Sequence, residues 1–113
     1  MQDRIKVLVA DDTVDNQRLI ELFLSNVPCN LTFVSNGRAA VNAFRAQKFA
    51  LILMDIQMPD LDGNEATQEI RRIELDQKLP TTPIVALTAH TFPDDMQRSA
   101  AAGIDAHLTK PLH

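Results

Sequence analysis

The sequence predicts an α/β domain built on a doubly wound, mostly parallel sheet. Three observations carry that reading. Five short β-like runs alternate with helical patterns, the connections between them are short, and two of the runs are almost wholly apolar. Alternation of this kind favours right-handed βαβ units with helices on both faces of one sheet. A strand buried on both faces reads as an unbroken apolar run rather than an alternating one.

The elements follow in order. Ile5-Lys6-Val7-Leu8-Val9-Ala10 is the first strand. From Asp15 to about Ser25, Leu19, Ile20, Phe23 and Leu24 recur at helical spacing, with Val27 three residues on. That spacing predicts one wide apolar stripe, and Pro28 ends it. Leu31 to Ser35 is the second strand, and Arg38 to about Gln47 a helix facing inward with Ala40, Val41 and Phe44. Leu51-Ile52-Leu53-Met54 is the third strand. Asn64 to about Leu75 carries Ala66, Ile70 and Ile73 at helical spacing. Ile84 to Thr88, introduced by Pro83, is the fourth strand. Phe92-Pro93-Asp94-Asp95 opens a helix with proline in its first turn and acids near the positive end of its dipole, and Gly103 is placed to end it. Ala106 to Thr109 is the fifth strand. The sequence runs only three residues past Lys110, so the final helix that a doubly wound sheet would carry on that flank is expected to be missing.

Composition bounds the function. The 113 residues have room for one domain, read as 1–113. Apolar residues make up 45% and charged residues 23%, ordinary globular usage that argues against disorder or a coiled coil. No apolar run approaches the ~20 residues of a membrane-spanning helix, and no basic-then-apolar leader opens the chain, so a soluble domain without membrane contact is expected. Eleven Lys and Arg against 15 Asp and Glu give a net charge of −4, which argues against a nucleic-acid partner. Trp and Tyr are absent, so stacking on bases is not supported either. Cys29 stands alone, which excludes a disulfide framework and favours a reducing, cytoplasmic setting.

In an open α/β sheet, ligands bind beyond the carboxyl ends of the strands. Asp11 and Asp12 follow the first strand, Asp55 the third, Thr88 ends the fourth, and Lys110 follows the fifth. Taken singly, Asp12 reads as a helix cap, Thr88 as a turn residue and Lys110 as a solvated surface group. Together they place three carboxylates, a hydroxyl and an amine at one sheet edge. Clustered carboxylates are costly unless a cation neutralises them. An all-oxygen ligand set favours a hard divalent ion, Mg²⁺ before Zn²⁺.

Asp11-Asp12, the run Met54-Asp55-Ile56-Gln57-Met58-Pro59-Asp60-Leu61-Asp62-Gly63, Ala86-Leu87-Thr88-Ala89 and Leu108-Thr109-Lys110-Pro111 together resemble the receiver domain of two-component response regulators. With Asn64-Glu65-Ala66-Thr67 and His90, the chain most resembles receivers of hybrid sensor histidine kinases. The resemblance implies a flavodoxin-like strand order 2-1-3-4-5. It also implies that a histidine kinase or histidine phosphotransfer domain delivers a phosphoryl group to Asp55, after which the domain switches shape or relays the phosphate. An effector domain or parent kinase in the same chain belongs to that picture. The domain is not a conventional enzyme, although it assists its own phosphorylation and dephosphorylation.

The same resemblance implies residue roles. Asp12 binds Mg²⁺ directly, Asp11 largely through a water, and Asp55 with the Gln57 backbone carbonyl completes the protein ligands. Lys110 pairs with a phosphoryl oxygen, Thr88 bonds another, and the Ala89 N–H donates beside it. Lys110-Pro111 matches a position where the peptide bond is usually cis. Gln57 and His90 match two variable positions that tune dephosphorylation. The family carries an aromatic switch residue on the fifth strand where this chain has His107. A His there can still swing with Thr88 and would add pH sensitivity; the blander alternative is a half-buried histidine with a satisfied hydrogen bond.

Asp60 and Asp62 read as solvated turn residues, Cys29 as inert and just ahead of a strand, and Met54 and Met58 as packing. Three rivals bear comparison. A haloacid-dehalogenase-like phosphatase needs a second Asp two residues after its nucleophile, and position 13 is Thr. A flavodoxin-like FMN carrier would want a Ser/Thr/Gly-rich phosphate loop where Asp11-Asp12 stand. A receiver-like module acting by protein contact without phosphorylation would usually lack one of the acids, the Thr or the Lys.

Overall fold

The computed structural model describes residues 4–89 and 92–109. In chain order the elements are β1 (Ile5–Ala10), α1 (Val14–Phe23), β2 (Cys29–Val34), α2 (Gly37–Ala46), β3 (Leu51–Asp55), α3 (Gly63–Asp76), β4 (Ile84–Thr88), α4 (Pro93–Ala102) and β5 (Ala106–Thr109). The strands form one parallel sheet in the order β2-β1-β3-β4-β5, as expected. The period of two along each strand divides the core. Leu8 and Ala10 of β1, Ile52 and Met54 of β3, and Ile84 and Ala86 of β4 pack against Ala40, Val41 and Phe44 of α2 and Ala66, Ile70 and Ile73 of α3. Val7, Val9, Leu53 and Leu87 face the other way and meet Ile20 of α1. Strands buried on both sides explain why the β1 and β3 sequences do not alternate.

Element ends depart from expectation where the partner decides them. β2 starts at Cys29, two residues early, because the β1 ladder begins at Ile5 and pairs it with Cys29. Cys29 is therefore inside the strand rather than ahead of it. α1 stops at Phe23, where tightening turns carry the chain towards Pro28: Ser25 N–H donates to the Leu22 carbonyl and Val27 N–H to the Leu24 carbonyl. Its apolar stripe is wider than the contact it makes. Ile20 is buried and Leu24 half-buried, while Leu19 and Phe23 are exposed at 38% and 59%. Among the described residues α1 is the helix over this face, and Val85 and Leu108 towards the β4–β5 flank keep solvent exposure as well.

α3 begins one residue earlier than its periodicity suggests. Asp62 caps it: its Oδ1 accepts the Glu65 N–H at 2.8 Å while Glu65 reaches back to the Asp62 N–H. This reciprocal arrangement satisfies two orphan donors, so Asp62 is a cap and not a solvated turn residue. α4 starts with Pro93 and ends at Gly103, whose φ of 112° is the left-handed conformation that favours glycine. No helix among the described residues is long and apolar enough to cross a membrane.

Candidate functional site: a carboxylate cluster at the sheet edge

β1 runs out at Ala10, and the next two residues part company. Asp11 is fully buried, while Asp12 is exposed. The Asp11 N–H still donates to the Val34 carbonyl at 3.0 Å, which prolongs the ladder by one bond. Its Oδ1 accepts the Thr13 N–H at 2.9 Å and the Thr13 hydroxyl at 2.8 Å, and its carbonyl accepts Gln17 Nε2 at 2.8 Å. An aspartate that holds the backbone two residues on forms a local turn that leads the chain into α1. Thr13, not Asp12, is the cap residue of that helix.

Asp55 is the last residue of β3, pairs with Leu87 of β4, and is 4% exposed. Its Oδ1 accepts the Gln57 N–H at 3.1 Å. The following loop is pinned by two glycines at points of close approach. A Cβ on Gly63 would lie 2.3 Å from the Asp55 carbonyl oxygen, and one on Gly37 would lie 2.0 Å from that of Leu61. The Gly63 N–H closes the loop on the Ile56 carbonyl at 2.9 Å. Asp60 adopts a φ of 68°, a left-handed turn that aspartate tolerates better than most residues. Thr88, buried at the end of β4, lies opposite Thr109, and exposed Ala89 follows it.

These elements converge. One carboxylate oxygen from each of Asp11, Asp12 and Asp55 can be chosen so that all lie within 4.8 Å of one another. Three like charges at that separation repel strongly in a partly buried setting, and a small cation among them turns the repulsion into attraction. Hard carboxylate donors supported by a nearby backbone carbonyl suit Mg²⁺. A cleft of about 360 Å³ opens over them, lined by Asp12, Asp55, Gln57, Thr88 and Ala89 among others. A second space of about 620 Å³ adjoins it and is shared by Asp12, Gln57 and Thr88 with Asn64, Arg98 and Ser99.

The sheet edge thus brings together Asp11, Asp12, Asp55, Gln57, Thr88 and Ala89. Lys110, the Lys110-Pro111 bond and His90 lie outside the described residues. His107 lies on β5 opposite Ala86, half-buried. Its Nε2 is shielded from solvent and has no hydrogen-bond partner among the described residues. Sequence reasoning did not find Thr13 and Gln17, which hold Asp11, although the Asp-x-Thr spacing was a readable turn signal. It also passed over Asn64, Arg98 and Ser99, which reach the site only through the packing of α3 and α4.

The model of the response regulator receiver domain matches residues 7–113. The chain belongs to that family. This receiver domain is 40% identical over 107 residues to the sensor protein GacS of Pseudomonas syringae pv. syringae, covering 95% of the chain and 12% of the relative. It is 39% identical to hybrid signal transduction histidine kinase I of Dictyostelium discoideum, covering 96% of the chain and 6% of that protein. The chain therefore spans a small part of the length of these relatives. Among solved structures it is similar to the receiver domain of sensor histidine kinase PA1611 from Pseudomonas aeruginosa, which holds a magnesium ion in its active-site cleft. That likeness has a TM-score of 0.84 and 35% identity, over 98% of this chain and 88% of the other. It is also similar to the receiver domain of Saccharomyces cerevisiae Ssk1, solved with the histidine phosphotransfer protein Ypd1, with a TM-score of 0.90 and 32% identity, over 100% of this chain and 83% of that one.

Proposed function

We propose that this receiver accepts a phosphoryl group on Asp55 from a phosphohistidine of a histidine kinase or phosphotransfer domain, in the cytoplasm, and passes it on or changes shape to regulate a partner or a parent kinase. The observation that supports it most is the convergence of Asp11, Asp12 and Asp55 within 4.8 Å at the carboxyl ends of β1 and β3. An Asp55 carboxylate oxygen attacks phosphorus, and the donor's P–N bond breaks with its electron pair going to the imidazole nitrogen. Asp11, Asp12, Asp55 and the Gln57 carbonyl would hold Mg²⁺, which when bound neutralises charge on the phosphoryl oxygens and the carboxylates.

The chain's own groups aim the reaction. The Gln57 N–H fixes the Asp55 carboxylate, and the buried Asp11, locked by Thr13, keeps a second carboxylate oriented before any ligand arrives. Such preorganisation lowers the reorganisation needed at the moment of transfer. Thr88 and the Ala89 N–H, on the same cleft, are assigned the phosphoryl oxygens, with Lys110 pairing with another. Intact mass after incubation with acetyl phosphate tests the reading. One phosphoryl group should be gained by the native protein with Mg²⁺, and none without Mg²⁺ or by Asp55→Asn. A folded sample that gains nothing points instead to a module that acts by contact alone.

A further inference from the structure

The outer edge of β2 is unguarded. β2 lies at one end of the five-stranded sheet, so among the described residues it pairs with β1 alone. The register runs without a bulge from Ile5 with Cys29 to Ala10 with Val34. Its residues, Cys29-Asn30-Leu31-Thr32-Phe33-Val34, include no charge and no proline, the devices that normally keep a sheet edge from pairing again. β5, at the other end, is four residues long, and shortness is itself a guard.

The ladder decides which groups face outward. The Ile5 N–H donates to the Pro28 carbonyl at 3.2 Å, and the Asp11 N–H to the Val34 carbonyl at 3.0 Å. With a period of two, the N–H and carbonyl of Asn30, Thr32 and Val34 turn towards β1, and those of Cys29, Leu31 and Phe33 turn away. The Cys29 carbonyl meets the Arg4 guanidinium at 3.4 Å, near the limit of a hydrogen bond. The outward groups of Leu31 and Phe33 have no partner among the described residues. The side chains of Cys29, Leu31 and Phe33 lie half-buried on the α1 face. Beside them α1 presents Val14, Gln17, Arg18 and Glu21, a stripe at helical spacing that borders a space of about 240 Å³ together with Phe33. Arg18 and Glu21 are exposed and have no ion-pair partner among the described residues.

We propose that β2 pairs with β2 of a second copy of this chain, antiparallel, about a twofold axis that passes between the two Leu31 residues. Leu31 then exchanges both of its outward bonds with Leu31 of the partner subunit, and Cys29 does the same with the partner's Phe33. A twofold axis perpendicular to the sheet keeps both α1 helices on one face and sets them antiparallel. A stripe with one charge of each sign complements its own inverse, so Arg18 meets the partner's Glu21 and Glu21 the partner's Arg18. That self-complementarity singles out a second copy as the occupant. The interface is small, and its dissociation constant is expected on the order of 100 μM. The twofold sends the two carboxylate clusters to opposite edges of the joined sheet and leaves both open. The pairing is therefore independent of the phosphoacceptor reading.

Sedimentation equilibrium on the 113-residue protein tests this, up to about 1 mM, ten times that constant. The native chain should pass from monomer to dimer. Leu31→Pro removes an N–H that faces away from β1, a position where an edge strand tolerates proline, and should weaken the dimer at least about tenfold. Arg18→Glu should weaken it about fivefold through like charges across the axis, and adding Glu21→Arg should restore it to within about twofold of the native value. This exposed pair carries the test if Leu31→Pro does not fold. Oxidation reads the register. Leu31→Cys in a Cys29→Ser background should form a disulfide-linked dimer, since paired residues of this type stand about 5.5 Å apart at Cα. Native Cys29 faces the partner's Phe33 and should form none. A chain that stays monomeric at about 1 mM overturns the proposal. So does a dimer that ignores both Leu31→Pro and the charge reversal, or one that links through native Cys29.

Discussion

Gly63 rests directly on the carbonyl of Asp55: a β-carbon at position 63 would come within 2.3 Å of that oxygen and 2.8 Å of the Ile56 Cα. Backbone stands on both sides of the contact, so no side chain can yield. Gly63→Ala should destabilise the domain by about 1–3 kcal/mol, the usual range for overpacking. It should also slow phosphorylation of Asp55 in molecules that remain folded. Urea melts and a time course of intact mass read the two effects separately. A variant as stable and as fast as the native protein would remove the close approach as a constraint.

Asp12 is the exposed member of the carboxylate cluster and is not the cap of α1. Asp12→Asn should therefore relieve repulsion without loosening the helix. The melting temperature in Mg²⁺-free buffer should rise slightly. The stabilisation that added Mg²⁺ gives the native protein, set by ligand concentration over Kd, should largely vanish. Calorimetric titration with Mg²⁺ provides the direct comparison.

On α1 the two neighbouring apolar positions should behave differently. Ile20 is 1% exposed and Leu22 71%. Ile20→Ala should cost about 2–4 kcal/mol through the lost burial and the cavity left behind. Leu22→Lys should stay within about 0.5 kcal/mol, as surface substitutions do. Denaturant midpoints at constant slope decide between them.

The Asp62–Glu65 box at the head of α3 makes a fourth case. Asp62→Ala should cost about 1 kcal/mol in urea melts, the usual value of an N-terminal cap. A loss no larger than that of a neighbouring surface change, such as Asp60→Ala, would mean that Asp62 is a solvated turn residue after all.

The strands and the strand-end acids were legible because each rests on a local signal: apolar runs in Leu51–Met54, a proline before Ile84, two acids straight after β1 and one at the end of β3. The start of β2 was not legible, since Cys29 and Asn30 have no strong strand preference and are recruited by the β1 ladder. The stripe of α1 over-read its burial, because periodicity reports which residues share a face and not what lies opposite. Arg71 offered no sequence signal at all. Its partners, Gly103 and Asp105, are 32 and 34 residues away and meet it only after α3 and α4 have packed.

The strand order has a kinetic side. β1 lies between β2 and β3, and β4 and β5 then add outward in sequence, each beside the strand that precedes it in the chain. A chain emerging from the ribosome can therefore bring β2, β1 and β3 together, with Asp11, Asp12 and Asp55 all included, before the residues of β4 and β5 have emerged. The acidic half of the site would assemble first and its hydroxyl half last. Within that order the β3 edge stays open until β4 adds to it.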